Sequence, residues 1–80
     1  MVPRPKTVKA LDDFLLEIVF QNGEKRIYDM NKWLTHPAYK NLINPSIFKT
    51  VTVRDITLEW ITGEDICPNE IYENSTIVNS

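Results

Sequence analysis

Apolar and polar residues alternate on both sides of an Asn-Gly pair in the first third of the chain. The alternation covers residues 14–20 before Asn22 and Gly23 and residues 24–29 after them. A period of two is typical of half-buried β-strands, and Asn-Gly favours the tight turn of a β-hairpin. The sequence therefore predicts a hairpin whose first strand buries one face. That face consists of Phe14, Leu16, Ile18 and Phe20.

Two registers of this hairpin fit the turn. A two-residue turn pairs Ile18 with Ile27, whereas a longer loop with Gly23 in a left-handed conformation pairs Ile18 with Arg26. The longer loop also brings the large aromatic ring of Tyr28 onto the apolar face, where the two-residue turn adds only the smaller Ile27. We therefore favour the longer, bulged loop.

Further strands and short helical turns are predicted along the rest of the chain. A first strand is predicted at 7–11, where Val8 and Ala10 share one face, and two segments rich in Val, Ile, Thr and Trp, typical of strands, are 50–53 and 56–61. Helical turns are predicted at 30–34, 46–48 and 68–72, with Asp29 and Asn44 as capping residues and Pro68 at a first helical position. The fold class is thus α+β, a mainly antiparallel sheet of about five strands with short helical turns packed against it. The predicted core consists of Leu16, Ile18, Phe20, Tyr28, Phe48, Val51, Val53, Leu58 and Trp60.

Length and composition indicate one small domain. The 80 residues are 42% hydrophobic and 25% charged, with a formal net charge of −2. We expect a single domain over 1–80, with an ordered core at about 7–72 and flexible termini. No concentrated basic face is present, so nucleic acid is not an expected partner.

The compartment follows from cysteine usage and hydropathy. A single cysteine, Cys67, excludes an intramolecular disulfide framework and fits a reducing cytoplasm. No apolar run approaches the roughly 20 residues that a membrane span needs, so a membrane is not expected as a partner either. We expect a soluble, cytoplasmic protein.

The residue types that carry catalysis or bind metals do not form a recognisable motif. His36 is the sole histidine and has no second histidine or cysteine nearby, so no metal site is predicted. Cys67 lies within an apolar pattern and is interpreted as a buried, inert thiol. We therefore predict no catalytic, cofactor or metal residues, and a protein that is not an enzyme. The rival hypothesis is a small enzyme or ligand-binding domain in which His36, Asp65 and Cys67 share a pocket.

Two aromatic residues are candidates for contact with a partner. Trp33 and Tyr39 lie on the irregular connector that follows the hairpin, and such connectors often carry function. An open sheet in so short a chain also leaves edges with unpaired backbone groups. A homodimer that pairs two such edges is therefore favoured over a monomer.

The order of several segments resembles a small bacterial family, the domain of unknown function numbered 2442. The resemblance covers about residues 6–72, and the segments that carry it are 8–10, 16–24, 26–30, 48–51, 56–60 and 63–72. It implies a compact α+β domain in a prokaryotic cytoplasm with no established enzymatic activity and no catalytic residues to transfer. Some members are encoded beside another small protein or joined to a DNA-binding helix-turn-helix, and no such motif fits after Tyr72.

These observations together favour a non-enzymatic protein-interaction module. Its partner would be another small protein, and the pair could form a two-protein system such as a toxin and its neutralising partner. A small ligand-binding domain or enzyme is the first alternative, and a nucleic-acid-associated regulator is the second.

Overall fold

The computed structural model describes residues 2–78 of the chain. The strands are β1 Pro5–Ala10, β2 Leu15–Phe20, β3 Lys25–Asp29, β4 Thr52–Arg54, β5 Thr57–Glu59, β6 Asp65–Ile66 and β7 Thr76–Ile77. The helices are α1 Pro45–Phe48 and α2 Pro68–Glu73, and 3-10 turns occupy Asp12–Phe14, Asn31–Trp33 and Pro37–Ile43. The predicted flexibility of the termini falls partly on Met1, Asn79 and Ser80, which lie outside the described residues.

The strands form two antiparallel sheets. The first has the order β1-β2-β3-β7 and the second the order β4-β5-β6, and β1 lies beside β4 where the sheets meet. The predicted α+β class is confirmed, but the expected single sheet of about five strands is replaced by seven strands in two sheets. β6 and β7 have two residues each, which is too short for an alternating pattern to reveal them.

The hairpin of β2 and β3 has the predicted bulged loop. Ile18 lies opposite Arg26, and the amide of Gly23 donates to the carbonyl oxygen of Phe20 at 2.9 Å. Gly23 has a φ of +88°, the left-handed conformation that this loop requires. Tyr28 is fully buried on the same face as Ile18, so the argument from aromatic burial selected the correct register.

The hairpin of β5 and β6 repeats this loop. The amide of Gly63 donates to the carbonyl oxygen of Trp60 at 2.9 Å, and Gly63 has a φ of +97°. In both loops the glycine is followed by a glutamate, Glu24 in the first and Glu64 in the second. The polar side chain before each glycine donates to that carboxylate. The two hairpins, one in each sheet, therefore have the same loop geometry.

The predicted helical turns are confirmed, and so is the cap at Asn44, whereas the 3-10 turn after β3 has Met30 at its cap position instead of Asp29. The side chain of Asn44 accepts from the amide of Ser46 at 2.9 Å at the start of α1. The carboxylate of Asp29 accepts from the amide of Asn31 at 2.8 Å. α2 begins at Pro68, the first helical position that the sequence predicted.

One core lies between the sheets and the helical segments. Every predicted core residue is buried except Val53, which is half-buried and packs against the core. Besides Pro5 at the start of β1, the buried residues that the sequence pattern did not predict are Met30, Leu42, Ile66 and Ile71. They lie in turns, in a two-residue strand and in a short helix, where no periodic pattern can develop.

Candidate interaction site

Trp33 and Tyr39, the residues predicted to face a partner, lie side by side. Their ring centroids are 5.4 Å apart, and the His36 ring is 5.9 Å from each of them. The bend of the connector before its second 3-10 turn brings the rings together, and the Nδ1 atom of His36 accepts from the amide of Ala38 at 3.1 Å. We call Trp33, His36 and Tyr39 the aromatic cluster.

The indole of Trp33 is tied to the core through Tyr28. Trp33 Nε1 donates to the Tyr28 hydroxyl at 2.8 Å, and that hydroxyl donates to Glu70 Oε2 at 2.7 Å. Lys32 Nζ donates to the same carboxylate oxygen at 2.9 Å and lies 5.0 Å from the centre of the Tyr28 ring. The network joins β3, the connector and α2.

The electrostatics of this network keep each group in the protonation state that its hydrogen bonds need. Burial raises the pKa of the Tyr28 phenol, so its hydroxyl remains a donor. Hydrogen bonds from Lys32 and then from Tyr28 lower the pKa of the Glu70 carboxyl, which is therefore ionised at neutral pH. The hydrogen bond with Glu70 in turn raises the pKa of Lys32.

Tyr39 covers part of the second sheet. Its hydroxyl donates to the carbonyl oxygen of Asp65 at 2.9 Å, and Asp65 belongs to β6, an outer strand of that sheet. A second bond from the connector, Asn41 Nδ2 to Glu64 Oε2 at 2.9 Å, lies beside it. The polar atoms of Trp33 and Tyr39 are thus engaged within the chain, while His36 is exposed beside their half-buried rings.

A second network attaches α2 to the first hairpin. The hydroxyl of Tyr72 donates to Glu24 Oε1 at 3.0 Å, and Arg26 Nε donates to the same oxygen at 2.8 Å. The guanidinium carbon of Arg26 lies 4.2 Å from the centre of the Tyr72 ring. Ile71, between the two networks, is fully buried. α2 is therefore held by a reciprocal pair of tyrosine-carboxylate bonds around one apolar anchor.

The outer edge of the first sheet is formed by β7. This strand lies opposite Arg26 and Ile27 of β3, and the amide of Val78 donates to the carbonyl oxygen of Lys25 at 2.8 Å. Ile77 is 44% exposed and Val78 is 37% exposed. We call residues 76–78 the β7 edge.

The β7 edge lies in a segment that the sequence pattern indicated only as a tail. Its β-branched run, Thr76, Ile77 and Val78, is the signal that could have identified a strand there.

The residues of the rival hypothesis line none of four surface depressions found within residues 2–78. Those depressions are lined by other residues than His36, Asp65 and Cys67. Within residues 2–78, no group of three or more His, Cys, Asp and Glu side chains is placed to hold a metal ion.

The prediction of a buried thiol is wrong, because Cys67 is exposed. It directly follows buried Ile66 at the end of β6, and successive residues of a strand point to opposite faces.

None of the helices within residues 2–78 has both the length and the apolar character needed to cross a bilayer. Comparison with family models finds one described as a protein of unknown function (DUF2442), and it matches residues 5–76. The match runs from the first residue of β1 to the first residue of β7. No curated protein and no solved structure shows significant similarity to the chain.

Proposed function

Because this chain belongs to the DUF2442 family, whose description assigns no function, we propose from its own surfaces that it is a non-enzymatic protein-interaction module. The family membership confirms the resemblance inferred from the sequence. We place the main contact at the β7 edge, where a partner would bind by pairing a strand with the first sheet.

The observation that carries the proposal is the combination of an outer strand with exposed apolar side chains. The amide of Val78 points toward β3, so the alternation of an antiparallel ladder turns the backbone groups of Ile77 away from it. The side chains of Ile77 and Val78 add apolar area beside these outward-facing groups. Main-chain pairing of this kind supplies affinity, and alternate side chains supply specificity.

The aromatic cluster is the second contact surface that we propose. Its rings are fixed by bonds to Tyr28 and Asp65, so they would contact a partner without first being ordered. The assignment of Trp33 and Tyr39 as partner-facing residues remains a prediction.

Site-specific photo-crosslinking in the native host tests this function. A photoreactive amino acid replaces Ile77 at the β7 edge or Tyr39 in the aromatic cluster, and the control position is Ile61, which is 77% exposed on the loop of the second sheet. We expect a discrete protein adduct at position 77 that position 61 does not give. An adduct of twice the chain mass identifies a homodimer. The same faint adducts at all three positions, or no adduct at position 77, would reject the edge as the binding site.

In its narrower form, the proposal is that the partner is a small protein and that the two act as a toxin and a neutralising protein. Its support is the gene arrangement that the family resemblance implies. Each protein is expressed alone and both are expressed together in the native host. We expect one of them to arrest growth and the other to relieve the arrest. Unchanged growth in every combination would remove the toxin-antitoxin form of the proposal.

A further inference from the structure

β7 and α2 are adjacent in the chain but are attached to the first sheet in very different ways. α2 is anchored by buried Ile71 and by the bonds of Glu70 and Tyr72 to the sheet and the connector. Both side chains of β7, Thr76 and Ile77, are exposed. β7 is therefore held mainly by backbone hydrogen bonds, and segments with few buried apolar contacts open most readily.

The bonds that hold β7 can be assigned from its register. Because the amide of Val78 donates to the carbonyl of Lys25, the next bonded pair of the ladder is Ile27 with Thr76. A side-chain bond from Arg26 Nη1 to the carbonyl oxygen of Ser75, at 3.3 Å, supports the entry to the strand. β7 thus covers only part of β3, which is five residues long.

From this difference in attachment we propose that β7 is a displaceable cover of the β3 edge. It detaches while α2 stays in place, and an extended segment of the partner protein takes its position along β3. This inference rests on the proposed function and narrows it, because the partner first contacts the exposed β7 edge and then replaces β7 along β3. It differs from simple addition of a strand outside β7, which would leave β7 in the sheet.

The charges along β3 indicate the chemistry of the incoming segment. Lys25 and Asp29 are exposed at the two ends of the strand, on the same face as Ile27 between them. An antiparallel segment with an acidic residue opposite Lys25 and a β-branched residue opposite Ile27 complements this face. β7 places Thr76 opposite Ile27 and has no acidic residue near Lys25, so such a segment pairs more favourably than β7 does.

Hydrogen exchange in the free protein tests the opening of β7 without any partner. We expect the amides of Ile27 and Thr76 to exchange about 100-fold faster than that of Ile18, which lies within the β2–β3 pairing. The amide of Ile71 in α2 should stay as slow as that of Ile18. Exchange at Ile27 as slow as at Ile18 would overturn the proposal, because β7 would then open only with the whole sheet.

A disulfide that locks β7 to β3 provides the second measurement. Ile27→Cys and Thr76→Cys are combined in a Cys67→Ser background, since directly opposed strand residues lie within reach of a disulfide. The matched control carries Thr76→Cys and Cys67→Ser only. Oxidation should slow exchange at position 27 by about tenfold or more in the double-cysteine variant and leave the control unchanged.

Binding of the crosslinked partner then separates displacement from addition. The purified partner should bind the oxidised double-cysteine variant at least about tenfold more weakly than the reduced form of the same variant. Equal affinity for both forms would show that the partner adds outside β7 and would overturn the displacement. If no partner is recovered at position 77, the proposed function fails, while the exchange data still decide whether β7 opens on its own. A partner whose mass equals that of this chain would show that a second copy supplies the strand.

Discussion

Tyr28→Phe removes a single oxygen atom at the point where β3, the connector and α2 meet. The ring is fully buried and keeps its apolar contacts, so the substitution isolates the hydrogen bonds of the hydroxyl. That hydroxyl accepts from Trp33 Nε1 at 2.8 Å and donates to Glu70 Oε2 at 2.7 Å. Both hydrogen bonds are lost, and phenylalanine offers Trp33 Nε1 and Glu70 Oε2 no replacement partner.

The size of the effect follows from the type of each bond. A neutral hydrogen bond contributes about 1 kcal/mol, and one to a charged group about 1.5–3 kcal/mol. The Glu70 side chain is 29% exposed and keeps its bond to Lys32, so the lower part of that range applies. We therefore expect Tyr28→Phe to lower the free energy of unfolding by about 2–3 kcal/mol.

Urea denaturation followed by tryptophan fluorescence and circular dichroism measures this change. Tyr39→Phe is the matched control, because it removes one exposed bond to a backbone carbonyl and should lower the free energy of unfolding by only about 0.5–1 kcal/mol. Equal losses in the two variants would refute the network. In a double-mutant cycle with Glu70→Gln, the effects of the two substitutions should be clearly less than additive.

The same variant should change the acid stability. The pKa of Glu70 is lowered in the folded protein, so its bonds stabilise the fold above the unfolded pKa and this contribution is lost as the pH falls through the folded pKa. Without the Tyr28 hydroxyl the pKa of Glu70 should rise toward its ordinary value. The difference between wild type and Tyr28→Phe should therefore be largest near neutral pH and shrink below about pH 4.5. A difference that stays constant from pH 7 to pH 3 would contradict the assignment of the bond to the ionised carboxylate.

Three further predictions concern the loops, the core and the second network. Gly23→Ala and Gly63→Ala should each lower the free energy of unfolding by about 1–2 kcal/mol, because alanine is strained at the positive φ of both positions. The space around an added Cβ is open at both, so no steric clash adds to this loss, and clearly unequal losses in urea denaturation would show that the loops are not equivalent. Leu16→Ala should lower the free energy of unfolding by about 2–5 kcal/mol, and Leu15→Ala on the half-buried face should lower it by less. A larger loss for Leu15→Ala would show that the faces of β2 are assigned the wrong way round. Hydrogen bonds from Arg26 and then from Tyr72 lower the pKa of Glu24, so Glu24→Gln should lose less stability than wild type as the pH falls below about 4.5. Thermal unfolding at a series of pH values measures this, and a loss as steep as that of wild type would contradict it.

The sequence was sufficient where one local pattern determined the structure. The register of the first hairpin followed from the choice between burying Tyr28 and burying Ile27, and the structure buries Tyr28. The cap at Asn44 and the bond that Asp29 accepts from the amide of Asn31 followed from short-range side-chain chemistry. Such features depend on residues only a few positions apart.

The rest depends on contacts between distant parts of the chain. β7 pairs with β3 although Ile77 and Arg26 are far apart in sequence, and two residues carry no periodic signal. The pairing of Tyr28 with Glu70 likewise appears only when α2 is placed against the sheet. Trp33 and Tyr39 could be chosen from their place on the connector, but their contact with each other and their bonds into the chain required the fold.

The order of the strands has a consequence for the synthesis of the protein. β1, β2 and β3 follow one another along the chain, as do β4, β5 and β6, so each group can pair through short connections as soon as it leaves the ribosome. β7 returns to β3 only after the whole second sheet has been made. The edge of β3 therefore emerges well before the two residues that cover it. A partner that binds this edge has access to the nascent chain for the time that translation of the second sheet requires.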